Sequence, residues 1–183
     1  WCRDKWRRWL CGGWLQSIED QNIVNAANVA IGYAAALNLS TGKDSVYMGY
    51  QAGGSGVITG IKNTVIGKDA ALNAVGMNHS VFIGTSAGGL GVVAGADNVV
   101  VGAAAGLDLT SGYANVLIGR DAGANFTGNY RNIAIGVGAL DAANDTEHKN
   151  VAIGTNALGT ENSSADYCVA IGDQALALQD GNV

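Results

Sequence analysis

The fold class this sequence predicts is all-β, a parallel β-solenoid, and three observations predict it. One phrase is said nine times: a small polar residue, a β-branched residue, an apolar residue, Ile, Gly, two free positions and Ala. Asn150-Val151-Ala152-Ile153-Gly154-Thr155-Asn156-Ala157 is a clean copy. Its glycines, Gly32, Gly49, Gly67, Gly84, Gly102, Gly119, Gly136, Gly154 and Gly172, stand 17 or 18 residues apart throughout. The composition agrees: 28 glycines, no proline, 7% aromatic and only 14% charged residues, which is unlike a helical bundle. A fixed period means that each repeat packs on its neighbours alone and the array grows in one dimension, so length says little about domain number. Two regions follow: residues 1–21, which lack the phrase, and a repeat domain over 22–183.

The first region reads WCRDKWRRWLCGGWLQSIEDQ and holds all four tryptophans and four of the ten basic residues. As a helix it sets Trp6, Trp9, Leu10, Trp14 and Ile18 on one side and the arginines on the other, a stripe broken by Gly12-Gly13. As a loop it lets Cys2 and Cys11 close a disulfide ring. The two exclude each other, because nine helical steps hold those cysteines roughly 13 Å apart and a disulfide needs Cα atoms within about 7 Å. Three roles fit the segment. It is a cap or stalk over the first open turn, a membrane-surface or partner-binding anchor, or an appended binding peptide. The docking residues would be Trp1, Trp6, Arg7, Arg8, Trp9 and Trp14, and membrane contact would be confined to residues 1–18.

From Asn22 the repeats begin, and aligning them on the glycine turns the sequence into columns. Four positions before it stand Asn28, Ser45, Asn63, Ser80, Asn98, Asn115, Asn132, Asn150 and Cys168. Stacked Asn side chains can hydrogen-bond up a ladder of turns. Three positions before the glycine the column is Val, with Thr64 and Ile133 as variants; one before, it is Ile, with Met48 and Val101. The β-branched enrichment predicts a strand. Residues two apart share a face, so these two apolar columns are expected to point into the solenoid core.

The column between them is then expected to face outward: Ala30, Tyr47, Val65, Phe82, Val100, Leu117, Ala134, Ala152 and Ala170. None is polar, so nine turns at about 4.8 Å would expose an apolar stripe roughly 43 Å long. The simplest cover is the same stripe of another copy, which makes those nine residues the expected oligomer interface. After the glycine, an Ala that never varies (Ala35 in the first copy, Ala175 in the last) suits a close approach of neighbouring backbone. The remaining loops, seven or eight residues long, account for the two spacings.

Asn-Val-Ala-Ile-Gly at 28–32 and 150–154, with Asn-Ile-Ala-Ile-Gly at 132–136, resembles the head repeat of trimeric autotransporter adhesins, the YadA-like head. Similar repeats occur in phage tail fibres and spikes. The resemblance covers about residues 22–183 and not the first 21. It implies a homotrimer of left-handed parallel β-rolls that carries surface attachment. The general preference for right-handed crossovers points the other way, so handedness rests on the resemblance alone. The repeats here are longer than that family's, with the additional residues in the loops.

No catalytic constellation stands out, and no enzyme activity, cofactor or metal is expected. His79 and His148 lie four repeats apart at loop ends. Gly-Lys/Arg-Asp at 42–44, 67–69 and 119–121 does not occupy one column, so it reads as solvated charge. Gly84 to Gly95 is glycine-rich but lacks the Lys-Ser/Thr of a phosphate cradle. Asp108, Asp121, Asp141, Asp145 and Glu147 could form a glycosidase-type acid pair only across a cleft, which a plain solenoid rarely has. The β-roll calcium motif is absent. Asn-x-Ser/Thr sequons at Asn38, Asn78, Asn125, Asn144 and Asn162 come with a Ser/Thr/Asn-rich repeat. Cys168 is expected as a buried small residue in the Asn column, and the column after the glycine carries no Thr ladder of the kind an ice-binding face would show.

A formal charge of -5 and a pI near 4.7 disfavour nucleic acid as a partner. No apolar run is long enough for a membrane-spanning helix, and the first residues lack the apolar stretch of a signal peptide. The chain starts without Met, and Asn182-Val183 opens a tenth phrase, so it is expected to be part of something longer. The function expected is non-enzymatic and extracellular: a rigid trimeric fibre or adhesin segment, on a virion or bacterial surface, presenting loops to a host receptor or surface glycan. The alternatives are a filament subunit joined end to end through the Trp-rich start and, in third place, a polysaccharide-cleaving spike.

Overall fold

The computed structural model describes residues 27–141, 147–159 and 166–177. The expectations for Trp1, Trp6, Arg7, Arg8, Trp9, Trp14, Cys2 and Cys11 therefore lie outside the described residues, as do Asp145, Asn144 and Asn162. Each copy of the phrase forms one three-residue strand: β1 Val29–Ile31, β2 Val46–Met48, β3 Thr64–Ile66, β4 Val81–Ile83, β5 Val99–Val101, β6 Val116–Ile118, β7 Ile133–Ile135, β8 Val151–Ile153 and β9 Val169–Ile171. They pair in sequence order as one parallel sheet, and the described residues contain no helix. The register follows the repeat: Val29 lies beside Val46 and Tyr47 beside Val65. This is the expected solenoid, about eight turns between nine strands.

Strands of three residues cannot close a turn by themselves, so the corners carry the rest. Each strand ends on the phrase glycine at φ between +129° and +142°. A Cβ on Gly102 would sit 2.3 Å from the carbonyl oxygen of Gly119, so backbone of the next turn occupies the space that a side chain would need. Two positions on, and again four positions on, the backbone is left-handed, as at Asp121 and Gly123. A third left-handed residue, Arg131 in that turn, precedes the Asn column. Loops stack as faithfully as strands: Gln51 N–H donates to Tyr33 C=O at 2.8 Å, and Ser55 N–H to Leu72 C=O at 2.8 Å.

The expected facing of the strand is reversed. Tyr47, Val65, Phe82, Val100, Leu117, Ala134 and Ala152 have no exposed surface, Ala170 is buried and Ala30 is half-buried at the first described turn. These residues are the core of their own chain and cannot be an oligomer interface. The flanking Val and Ile columns point out, with Val29, Ile31, Ile83 and Ile118 all exposed. The physical reason is parity. The Asn column, the middle column and the glycine lie two apart and share the inward face. The Asn side chains must be inside to reach the next turn: Asn98 Oδ1 accepts from Asn115 N–H and Asn115 Oδ1 from Asn132 N–H, both at 3.0 Å. The invariant alanines line the same interior, each fully buried from Ala35 to Ala157.

One inward column suffices because the opposite wall fills the remaining space. Where the middle residue is large, the residue four after the glycine is Gly: Tyr47 with Gly53, Phe82 with Gly88, Leu117 with Gly123. A Cβ on Gly88 would lie 2.5 Å from the Phe82 ring, and one on Gly53 2.8 Å from the Tyr47 ring. Where the middle residue is Ala134 or Ala152, the opposite residue is Leu140 or Leu158, both buried. Leu39, Ile58, Met77, Val93, Leu109 and Phe126, from the loops, join the cluster. Burial pushes the Tyr47 hydroxyl up to about 12, an effect that the Ser45 and Asn63 side chains beside it offset only in part.

Candidate interaction faces

Among the described residues, the outward side of the sheet is the most distinctive surface. Left-handed corners bound it, one just before the Asn column and one two residues past the glycine. Between them lie two side-chain columns, of which only Thr64 is polar among eighteen positions. Eight of the eighteen are exposed, up to 67% at Ile171, and the other ten are half-buried. At roughly 60 Å² per side chain, the face offers on the order of 1,000 Å² of mostly apolar surface, above the few hundred Å² that a typical monomer exposes.

Its two borders are polar and aromatic. The border after the glycine begins with Tyr33 and Tyr50, whose rings stack at 5.3 Å, and continues through Lys68 and Arg120 to Asp173. The exposed Lys68 sits 3.6 Å from the half-buried Asp69, and the exposed Arg120 3.1 Å from the half-buried Asp121, each pair within one turn. This accounts for two of the three Gly-Lys/Arg-Asp sites; the third, at 42–44, belongs to the other border. That border, before the Asn column, carries Asp44, Lys62, His79, Asp97, Arg131 and Lys149. His79 is exposed, 3.7 Å from Asp97 one turn on.

Next to this second border a short aromatic ladder runs over three turns. Tyr113 stacks on Tyr130 at 5.0 Å and 4°, and Tyr130 on His148 at 3.8 Å and 21°. His148 is half-buried rather than an exposed loop residue. Its neighbour Lys149 lies over the Tyr167 ring at 4.5 Å, and its hydrogen bond to the Tyr167 hydroxyl raises the Lys149 pKa. The ladder could have been found in the sequence, since Tyr113, Tyr130 and His148 all stand six before a phrase glycine.

Among the described residues no group of His, Cys, Asp and Glu is arranged to hold a metal ion. Glu147 is buried at the Asn ladder, its backbone carbonyl accepting from the Asn129 and Asn132 side-chain amides at 3.1 and 3.0 Å. Asp108, Asp121 and Asp141 are half-buried on three successive turns. Cys168 is half-buried rather than buried, and its N–H donates to Asn150 Oδ1 at 2.8 Å. No helix among the described residues is long and apolar enough to cross a membrane. Comparisons with known proteins found no matching family model, no matching curated protein and no matching solved structure.

Proposed function

We propose that this chain is a non-enzymatic structural segment of an extracellular attachment fibre, assembled as a homotrimer from parallel solenoids that cover one another's outward Val and Ile columns. The observation that carries the reading is that face, apolar over nine consecutive strands and open in the single chain. Its repeat of about 4.8 Å along the stack is a pitch that another solenoid matches over the full length. The area on offer exceeds the ~800 Å² that each partner gives to a standard interface. Three copies is the number that the resemblance to adhesin heads implies. In such an assembly the ladders supply rigidity, while the loops and the end surfaces remain available to a host receptor or surface glycan on a virion or bacterial exterior.

Light scattering tests it. The wild-type chain is expected at three times its 18.5 kDa. Val81→Lys, Val99→Lys and Val116→Lys together should bring it to the monomer mass with the far-ultraviolet spectrum kept, since those side chains lie outside the core. Ala134→Lys with Ala152→Lys should unfold the chain instead, because both positions are fully buried. A monomeric wild type, or an unchanged mass in the triple variant, sinks the proposal.

A further inference from the structure

We infer that neighbouring copies run parallel and meet along a diagonal seam, in which each residue before the Asn column faces the residue after the glycine one turn further along the partner. The inference rests on the outward face being the self-association surface and adds its direction and register.

Charge carries the argument. In this register Asp44 faces Lys68, Asp97 faces Arg120 and Lys149 faces Asp173, while Ala114 meets Val137. Three opposite pairs form, and no like pair does. Pairing each turn with the same turn of the partner sets Lys62 against Lys68. Shifting the seam the other way sets Arg131 against Arg120.

Antiparallel copies bring each border against itself, and none of the three central alignments is free of conflict. With β5 opposite β5, Asp97 meets its own symmetry mate and Lys62 meets Arg131. One turn either way, Lys68 meets Arg120 or Lys62 meets Lys149. Like charges opposed across an apolar interface select against the wrong partner arrangement. The in-chain neighbours Asp69 and Asp121 do not remove the conflict, because the Lys68 and Arg120 side chains stay 63% and 66% exposed and such solvated pairs are of small worth.

The geometry permits the seam. One turn is about 4.8 Å, within the reach of a Lys or Arg side chain. The seam joins unlike borders, so it is heterologous and the same contact repeats at every junction. A polar fibre results, with every copy's start at the same end.

Cysteine cross-linking decides it, in a background with Cys2, Cys11 and Cys168 replaced by Ser. Asp44→Cys with Lys68→Cys should give covalent oligomers on oxidation. The two positions stand on opposite borders of one chain, about 20 Å apart across the face, so the bond can form only between copies. Asp97→Cys alone should stay uncoupled. Separately, Asp97→Lys should weaken association by roughly 5-fold, and adding Arg120→Asp should restore it. If the background chain is monomeric by light scattering, the self-association reading itself has failed. If it assembles but the Asp44/Lys68 pair stays unlinked, or Asp97→Cys couples, the parallel diagonal seam is wrong.

Discussion

The turns that begin at β2, β4 and β6 and those that begin at β7 and β8 reach the same core volume from opposite walls. The first set projects Tyr47, Phe82 or Leu117 from the strand toward a glycine; the second projects Leu140 or Leu158 from the corner toward an alanine. The glycine set pays no backbone penalty at the left-handed corner, whereas Leu140 and Leu158 hold φ of 52° and 50° there, a conformation costing roughly 1 kcal/mol for a residue with a Cβ. In these five turns cross-section therefore constrains the sequence more than corner preference does: each is filled once, from either side.

That comparison can be broken directly. The largest effect is expected from Gly88→Leu, which drives a side chain into the Phe82 ring at a corner with φ of 58°; a loss above about 4 kcal/mol should appear as failure to fold or a collapsed melting transition. Phe82→Ala alone should cost roughly 3–4 kcal/mol by urea denaturation. Combining the two reproduces the β7 and β8 pattern and should recover at least half of the larger loss. No recovery would mean that the pairing of sizes is coincidental.

Smaller effects probe what both sets share. Asn115→Ala removes the acceptor of the buried Asn132 N–H and the side-chain donor to Asn129 C=O, so a loss of about 2–3 kcal/mol is expected from denaturant midpoints. Tyr47→Phe should change neutral-pH stability by less than about 1 kcal/mol, since Phe82 serves the same position two turns on. Its effect is in alkali. The folded hydroxyl is raised to about 12 from 10, so the unfolded chain ionises first, and stability present below pH 10 is lost as pH rises towards 12, by up to roughly 3 kcal/mol. The Phe variant should lack that extra loss in pH-dependent unfolding.

Period, strand position, parallel order and the Asn ladder were all legible in the sequence, because each depends on spacing alone. Facing was not. Val and Ile in two columns outweigh one mixed column if apolar character is the sign of the core, and that sign fails here because both columns point out of the roll. The correct parity was available in two places. Asn28 through Asn150 must lie inside to bond between turns, and Phe82 with Gly88 against Ala134 with Leu140 shows size compensation that only opposed core positions need. The border columns were harder to see, since Lys68 and Asp97 acquire meaning only once the corners fix which side chains flank the strand.

The Asn ladder has one more consequence. Asn63 and Asn98 each donate to a carbonyl fourteen residues on, at Met77 and Gly112, while Asn132, in a longer turn, reaches fifteen to Glu147. Counted back from the next glycine, all three acceptors occupy one place. The amide thus measures from the turn ahead and ignores what the loop behind it contains. It works as a phase reset, so an inserted residue is absorbed within its own turn and the next strand starts in step. A lineage carrying this ladder could lengthen, shorten or replace any loop independently while the stack of strands stays the same.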